Sequence, residues 1–138
     1  MRSCVAALVP AAVLAGCATA PAGAPDTRCP AGRQQMTGDL LYFGTSKPGG
    51  TVSLEEWSGF LWDVVTPRFP KGFTVLQAYG QWKPDKGEIQ REVSYVVSIV
   101  HEESASSEAD IHGVIDAYKA RFHQESVLRV STQSCASF

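Results

Sequence analysis

The sequence predicts an α+β domain of ferredoxin-like type, βαββαβ, with a four-stranded antiparallel sheet and two helices on one face. Three observations carry that expectation. Four short β-prone runs alternate with two amphipathic helical stripes in the order strand, helix, strand, strand, helix, strand. A hairpin signal separates the two central runs, and right-handed crossovers then give the strand order 4-1-3-2. The chain of 138 residues, 44% hydrophobic and 19% charged, suffices for one core of ordinary size and is too apolar for a disordered chain.

The first strand is Asp39-Leu-Leu-Tyr-Phe-Gly44, an apolar β-prone run closed by the turn set Ser46-Lys-Pro-Gly-Gly50. Ser53 and Glu56 form a capping box, and Leu54, Trp57, Phe60, Leu61, Val64 and Val65 fall on one helical stripe that Pro67 stops; helix one is therefore expected over 54–65. Trp62 lies well away from the centre of that stripe and is expected outside the core, as a partner contact or packed under the following loop. After the turn Pro70-Lys-Gly72, Phe73 to Trp82 reads as strand two, Pro84-Asp-Lys-Gly87 as a hairpin turn, and Ile89 to Val100 as strand three. Ser106 or Ser107 is expected to cap a second helix with the stripe Ile111, Val114, Ile115, Tyr118 and Phe122. Ser126 to Ser131 is strand four, continuing toward Cys135.

The N-terminus reads as an export signal over residues 1–16: Arg2, an apolar run from Val5 to Leu14, then small residues. The run is shorter than the roughly 20 residues a spanning helix needs, and Pro10 interrupts it. Leu14-Ala-Gly-Cys17 resembles the lipobox of bacterial lipoproteins, which implies cleavage before Cys17 and acylation of its thiol and amine. The resemblance implies anchoring to a membrane through the lipid on Cys17. Ala18 is not the Asp that marks inner-membrane retention, so the periplasmic face of the outer membrane is the expected destination. An ordinary secretory signal, cut after Gly16 or near Ala20-Pro21, is the alternative. Cleavage removes Arg2 and no acidic residue, so a polybasic route to the membrane is closed.

Residues 17–37 form an expected tether, rich in Ala, Pro and Gly, ahead of a domain over 38–138. With Cys4 lost in the signal and Cys17 lipidated, Cys29 and Cys135 remain. In an oxidising envelope these two are expected to pair, the alternatives being two free thiols or an intermolecular bridge.

Composition excludes one function class. With 12 basic against 14 acidic residues and a pI of about 5.9, the chain has no basic excess for nucleic acid. The catalytic templates find no match: there is no GxGxxG or Walker A segment. His112 and His123 stand about 16 Å apart along one helix, too far to share a metal. His101 with Glu102 and Glu103 has the composition for a cation, although an acidic loop of this kind is ordinarily solvated. No metal and no cofactor is expected.

Strand alternation assigns the candidate surface. The odd positions of strand three, with Leu128 and Val130, are expected under the helices. The open face is expected to carry Tyr42, Ser94, Val96, Ser98, Val100 and Arg129, with Gln77, Tyr79 and Gln81 from strand two. Such a face suits a small ligand, a homodimer contact, or cover by the tail. Glu92 offers a general base or a cross-strand ion pair. Arg68, held between two prolines, offers an anion contact or a salt bridge to the helix.

Several blocks occur together over residues 38–138: Leu41-Tyr-Phe-Gly44, Val65-Thr-Pro-Arg-Phe-Pro70 with Gly72, Tyr79-Gly-Gln-Trp82, Arg91-Glu92 with Ser94, and Tyr118-Lys119 through Gln124-Glu-Ser-Val-Leu128. In this order they resemble the bacterial domain-of-unknown-function family DUF3574. The resemblance implies a small envelope-targeted domain and supplies no reaction. Its polar motif positions, carried over as candidates, are Arg68, Gln81, Trp82, Glu92, Ser94, Gln124 and Glu125. The resulting expectation is an envelope-anchored lipoprotein whose domain binds a small ligand or a partner. The alternatives are a cofactor-free isomerase or monooxygenase using the open sheet face, and a structural accessory subunit.

Overall fold

The computed structural model describes residues 29–83 and 87–138. The expected signal peptide, Cys17, most of the tether and the hairpin residues Pro84, Asp85 and Lys86 lie outside the described residues. The elements are β1 (Gln34–Gly44), β2 (Ser46–Lys47), β3 (Gly50–Thr51), α1 (Leu54–Phe60), a π-helical turn (Leu61–Val65), α2 (Thr66–Arg68), β4 (Thr74–Trp82), β5 (Gln90–His101), α3 (Ala105–Phe122) and β6 (Leu128–Ala136). The fold is a mixed α/β one in which β4-β5-β1-β6 form a four-stranded antiparallel sheet. β2 and β3 form a separate two-stranded hairpin across Pro48-Gly49, with Gly49 at φ 83° as a turn of this kind requires.

Paired residues of antiparallel strands share a face, so the register sorts every side chain. Leu41 sits opposite both Val97 and Arg129, and Val97 opposite Val75. The face bearing these residues, with Asp39, Phe43 and Ile99, is covered by α1, its π-turn and α3. Three sequence expectations are corrected here. Arg129 lies on the helix-covered face, whereas Leu128 and Val130, opposite Tyr42 and Leu40, lie on the open one. Gln77, Tyr79 and Gln81, opposite Tyr95, Val93 and Arg91, also belong to the helix side, and Leu76, Ala78 and Trp82 take the open face. The physical reason is register: β4 and β6 are so evenly mixed that alternation fits either face, and pairing with β5 and β1 decides.

Beneath the helices the core is aromatic. Phe43, Phe60 and Phe122 surround Tyr118 at centroid distances of 4.7, 5.0 and 4.8 Å, and Trp57 stacks on Tyr95 at 4.5 Å. Tyr118 is wholly buried and donates to the carbonyl of Gly44 at 2.7 Å. Burial, then the nearby Glu92 charge, pushes its hydroxyl ionisation well up. Leu54, expected in the stripe, is 70% exposed because it opens the first turn beside its cap.

Both arms of the expected capping box are present: Ser53 Oγ accepts from the Glu56 amide at 3.1 Å, and Glu56 accepts from the Ser53 amide at 2.8 Å. The helical path does not stop at Pro67. Proline has no amide to donate and its ring collides with the carbonyl four residues back. The backbone therefore widens into the π-turn, in which the Thr66 amide reaches Leu61, and one more turn carries the chain through Pro67 to Arg68. α3 starts earlier than expected: Ser104 is the N-cap, in extended conformation, accepting from the Ser107 amide at 3.0 Å.

β1 starts at Gln34 rather than Asp39, because β6 supplies ladder partners for residues 34–38. The same pairing sets Gln35 opposite Cys135, and Cys135 forms a disulfide with Cys29, Cα atoms 5.5 Å apart across 106 residues of sequence.

Candidate functional site

Two polar constellations flank the end of the sheet where β5 leaves for α3. The first is a cleft of about 800 Å³ between the loop 69–73, the ends of β1 and β5, and the first turns of α3. Its apolar walls are Met36, Phe69, Phe73 and Val100, and Arg68, Lys71, Ser104 and Asp110 bring polar atoms to it. Arg68 owes its position to the π-turn, which delivers it to the last helical residue before Phe69 breaks the path. Its Nη1 donates to the carbonyl of Val64 at 2.8 Å. The rest of the guanidinium lies across α3 at Gly113, where a Cβ would stand 3.1 Å from Nε and 3.5 Å from Nη2. A glycine inside a helix costs about 1 kcal/mol relative to alanine, and here it makes room for the arginine. Among the described residues no carboxylate lies within ion-pair distance of Arg68, so the expected salt bridge to the helix is replaced by this contact. Lys71, by contrast, pairs with Glu102 at 3.3 Å in solvent.

The second constellation is buried. Asp39 is 0% exposed, and Arg129 donates to it through Nε at 2.8 Å and Nη2 at 2.9 Å. Ser131 donates a further short bond, and His101 Nε2 lies 2.8 Å from Oδ2 while its Nδ1 faces the Glu102 carbonyl at 2.9 Å. Arg129 also grips Glu108 of α3 at 2.6 and 2.7 Å. Burial alone would raise the Asp39 carboxyl, but the bonds from Arg129, His101 and Ser131 and the guanidinium charge outweigh it, so the net shift is downward. Arg129 is held protonated, by Glu108 first and Asp39 second, and Glu108 is lowered chiefly by Arg129. Every oxygen of this cluster is engaged within the protein, which makes it a clamp between sheet and helix.

The remaining candidates are dispersed. Tyr42, Ser94 and Ser98 lie on the open sheet face as expected, with Trp82 at its corner. Tyr79 is 85% exposed at the far end of β4, Gln77 is exposed, and Gln81 accepts from Arg91 at 3.0 Å. Glu92 makes no ion pair among the described residues; it accepts from the Ser46 amide at 2.7 Å and presses on Gly44, which fixes the start of β2. Gln124 donates to the Ser46 carbonyl from the other side, and Glu125 is exposed. These family-motif residues tie the small hairpin to the sheet and α3. Glu102 and Glu103 are engaged separately, with Lys71 and Gln133, and His101 with Asp39, so the loop does not gather a cation cage. Among the described residues no group of three or more His, Cys, Asp or Glu could hold a metal. Sequence reasoning did not single out Asp39, Phe69 or Gly113. The available signals were a carboxylate heading an apolar strand and a glycine inside a helical stripe.

A family model described as "Protein of unknown function (DUF3574)" matches residues 39–138. The chain belongs to that family. No curated protein matches it. Among solved structures, its fold is similar to that of a phage SAM lyase in complex with S-methyl-5'-thioadenosine. The TM-score is 0.57 and the identity 15%, over 80% of this chain and 94% of that one. The apo state of a phage SAM lyase gives a TM-score of 0.48 at 18% identity, over 74% of this chain and 90% of that one. At these identities the likeness is one of fold.

Proposed function

We propose that this member of the family is an envelope module, anchored by lipid on Cys17 at the periplasmic face of the outer membrane, that binds a small acidic molecule with an apolar body. The observation that carries the reading is Arg68. Its guanidinium is seated over Gly113 at the cleft, free of any carboxylate among the described residues, with apolar walls beside it. A guanidinium with unused donors favours a carboxylate, sulfonate or phosphate, and Phe69, Phe73, Met36 and Val100 favour a hydrocarbon or aromatic body. The volume falls within the ordinary range for small-molecule sites. The strand order with α1 and α3 on one face supports describing the domain as ferredoxin-like, a type that carries many unrelated functions. That a solved neighbour holds S-methyl-5'-thioadenosine is consistent with a small-molecule role and supplies no residue to this chain.

The test uses 8-anilinonaphthalene-1-sulfonate, an anion with an apolar body, titrated into the full chain in detergent-free nanodiscs, with neutral N-phenyl-1-naphthylamine as control. The sulfonate should saturate at one site per chain, and Arg68→Gln should weaken it about tenfold or more while leaving the neutral dye unaffected. Gly113→Ala should do the same by displacing the guanidinium. Equal binding by wild type and both variants would send the reading back to a partner-binding or accessory role.

A further inference from the structure

Among the described residues, neither helix covers the face of the sheet opposite the core. This face carries the even-numbered positions of all four strands, and only Glu92 among them is charged; its carboxylate is turned to the Ser46 amide at one corner. Of the ten large hydrophobic residues exposed among the described residues, five lie here: Leu76, Trp82, Val100, Leu128 and Val130. One row of this face is apolar across all four strands, Leu76, Val96, Tyr42 and Leu128, with Leu40 and Val130 beside it, whereas Gly38, Ser94 and Ser98 leave gaps on the central strands. An apolar band of this kind, rimmed by polar residues such as Thr74, Thr132 and Ser134, is the pattern of a contact surface.

We propose that this face is the interface of a homodimer, in which a second copy of the chain lays the same surface against it. Self-complementarity, size and the composition of the tether select that occupant. A two-fold contact requires a patch complementary to itself, and an apolar face almost without charge meets that condition, while offering no charge pattern by which a different partner would be chosen. The size is adequate: four strands about 4.8 Å apart and roughly nine residues long give a footprint near 600 Å². Two copies then bury on the order of 1,200 Å², the lower end of stable interfaces. The chain's own tether is poorly suited, because residues 18–28 contain no Val, Leu, Ile, Met or aromatic residue with which to fill the face. Two sheets so stacked lie about 10 Å apart, the spacing of a sandwich core. Ser98 and Val100 belong both to this face and to the wall of the cleft, so the second copy would close the cleft from that side.

Sedimentation velocity of the full chain in density-matched detergent tests the proposal. The wild type should sediment as a dimer at tens of micromolar. Leu76→Glu, at a position 54% exposed, and Val130→Glu, at 40%, should each raise the dissociation constant roughly a hundredfold by placing a charge in the contact. Leu54→Glu, on exposed α1, should leave it unchanged. Ser98→Cys, a near-isosteric change on the central strand, should give a covalent dimer with a short bismaleimide, Cys29 and Cys135 being tied in their disulfide. This last reading stands even if a charged variant does not fold. A monomeric wild type, dimers indifferent to both charges, or no cross-link through residue 98 would overturn the proposal. The dye assay compares wild type with Arg68→Gln, a change off this sheet face, so loss of the anion contact and loss of the dimer are read separately even though the second copy borders the cleft.

Discussion

Replacing Asp39 by asparagine changes almost no volume and removes one negative charge from the centre of the Asp39–Arg129–His101–Ser131 cluster. Asparagine keeps one acceptor oxygen, but its amide group turns donors toward at least one of the groups that now donate to Oδ2, Arg129 Nη2 and His101 Nε2. Two charge-assisted bonds are weakened and Arg129, only 19% exposed at its side chain, keeps Glu108 as its sole anion. Removing one member of a buried pair costs about 3–5 kcal/mol. The loss here falls at the low end, about 3 kcal/mol, because Glu108 remains. For a domain of this size that lowers Tm by roughly 12–20 °C. Urea denaturation of the oxidised protein at neutral pH measures it directly. Arg129→Met in the Asp39→Asn background should recover part of the loss, since the stranded guanidinium is then gone. The sign of the pH dependence follows from the lowered Asp39 value. The carboxylate contributes fully above its unfolded value of 3.8 and loses that contribution as acid carries it through the lower folded value. Wild-type stability should therefore fall steeply with acid below about pH 4, and the asparagine variant less steeply. A loss under about 1 kcal/mol, or parallel acid profiles, would refute the view that this cluster clamps sheet to helix.

The Cys29–Cys135 disulfide closes more than 100 residues, and reducing it should cost up to ~4.7 kcal/mol in the chain-entropy account, read as a shift in urea midpoint between oxidised and reduced protein. A midpoint unchanged by reductant would show that the β1–β6 ladder alone holds the ends. Metabolic labelling with palmitate should mark the wild type and spare Cys17→Ala; equal labelling would remove the lipid anchor.

The Ser53–Glu56 cap, the buried stripe of α3 and the two-cysteine pairing were legible in the sequence because each is a local or compositional signal. Ser104 was misjudged because three serines within four residues each have the chemistry of a cap, and the extended conformation that selects one is a property of how the chain leaves β5. Arg68 was legible as a rigidly presented guanidinium, yet its seat was not, since Gly113 is distant in sequence and meets it only when α3 crosses the π-turn. Arg129 was legible as a functional candidate and assigned to the wrong face.

By itself the sequence determined the order of the four sheet strands and the two main helical segments, the Ser53–Glu56 cap, and the family, all of which depend on residues close together in the chain. Only the tertiary structure decided which faces β4 and β6 present, that Arg129 closes on a buried Asp39, and that Leu76, Leu128 and Val130 are left in the open. The reason is that a strand's side chains alternate with a period of two, so a one-residue change in register exchanges its two faces, and register is fixed by partners that lie elsewhere in the chain.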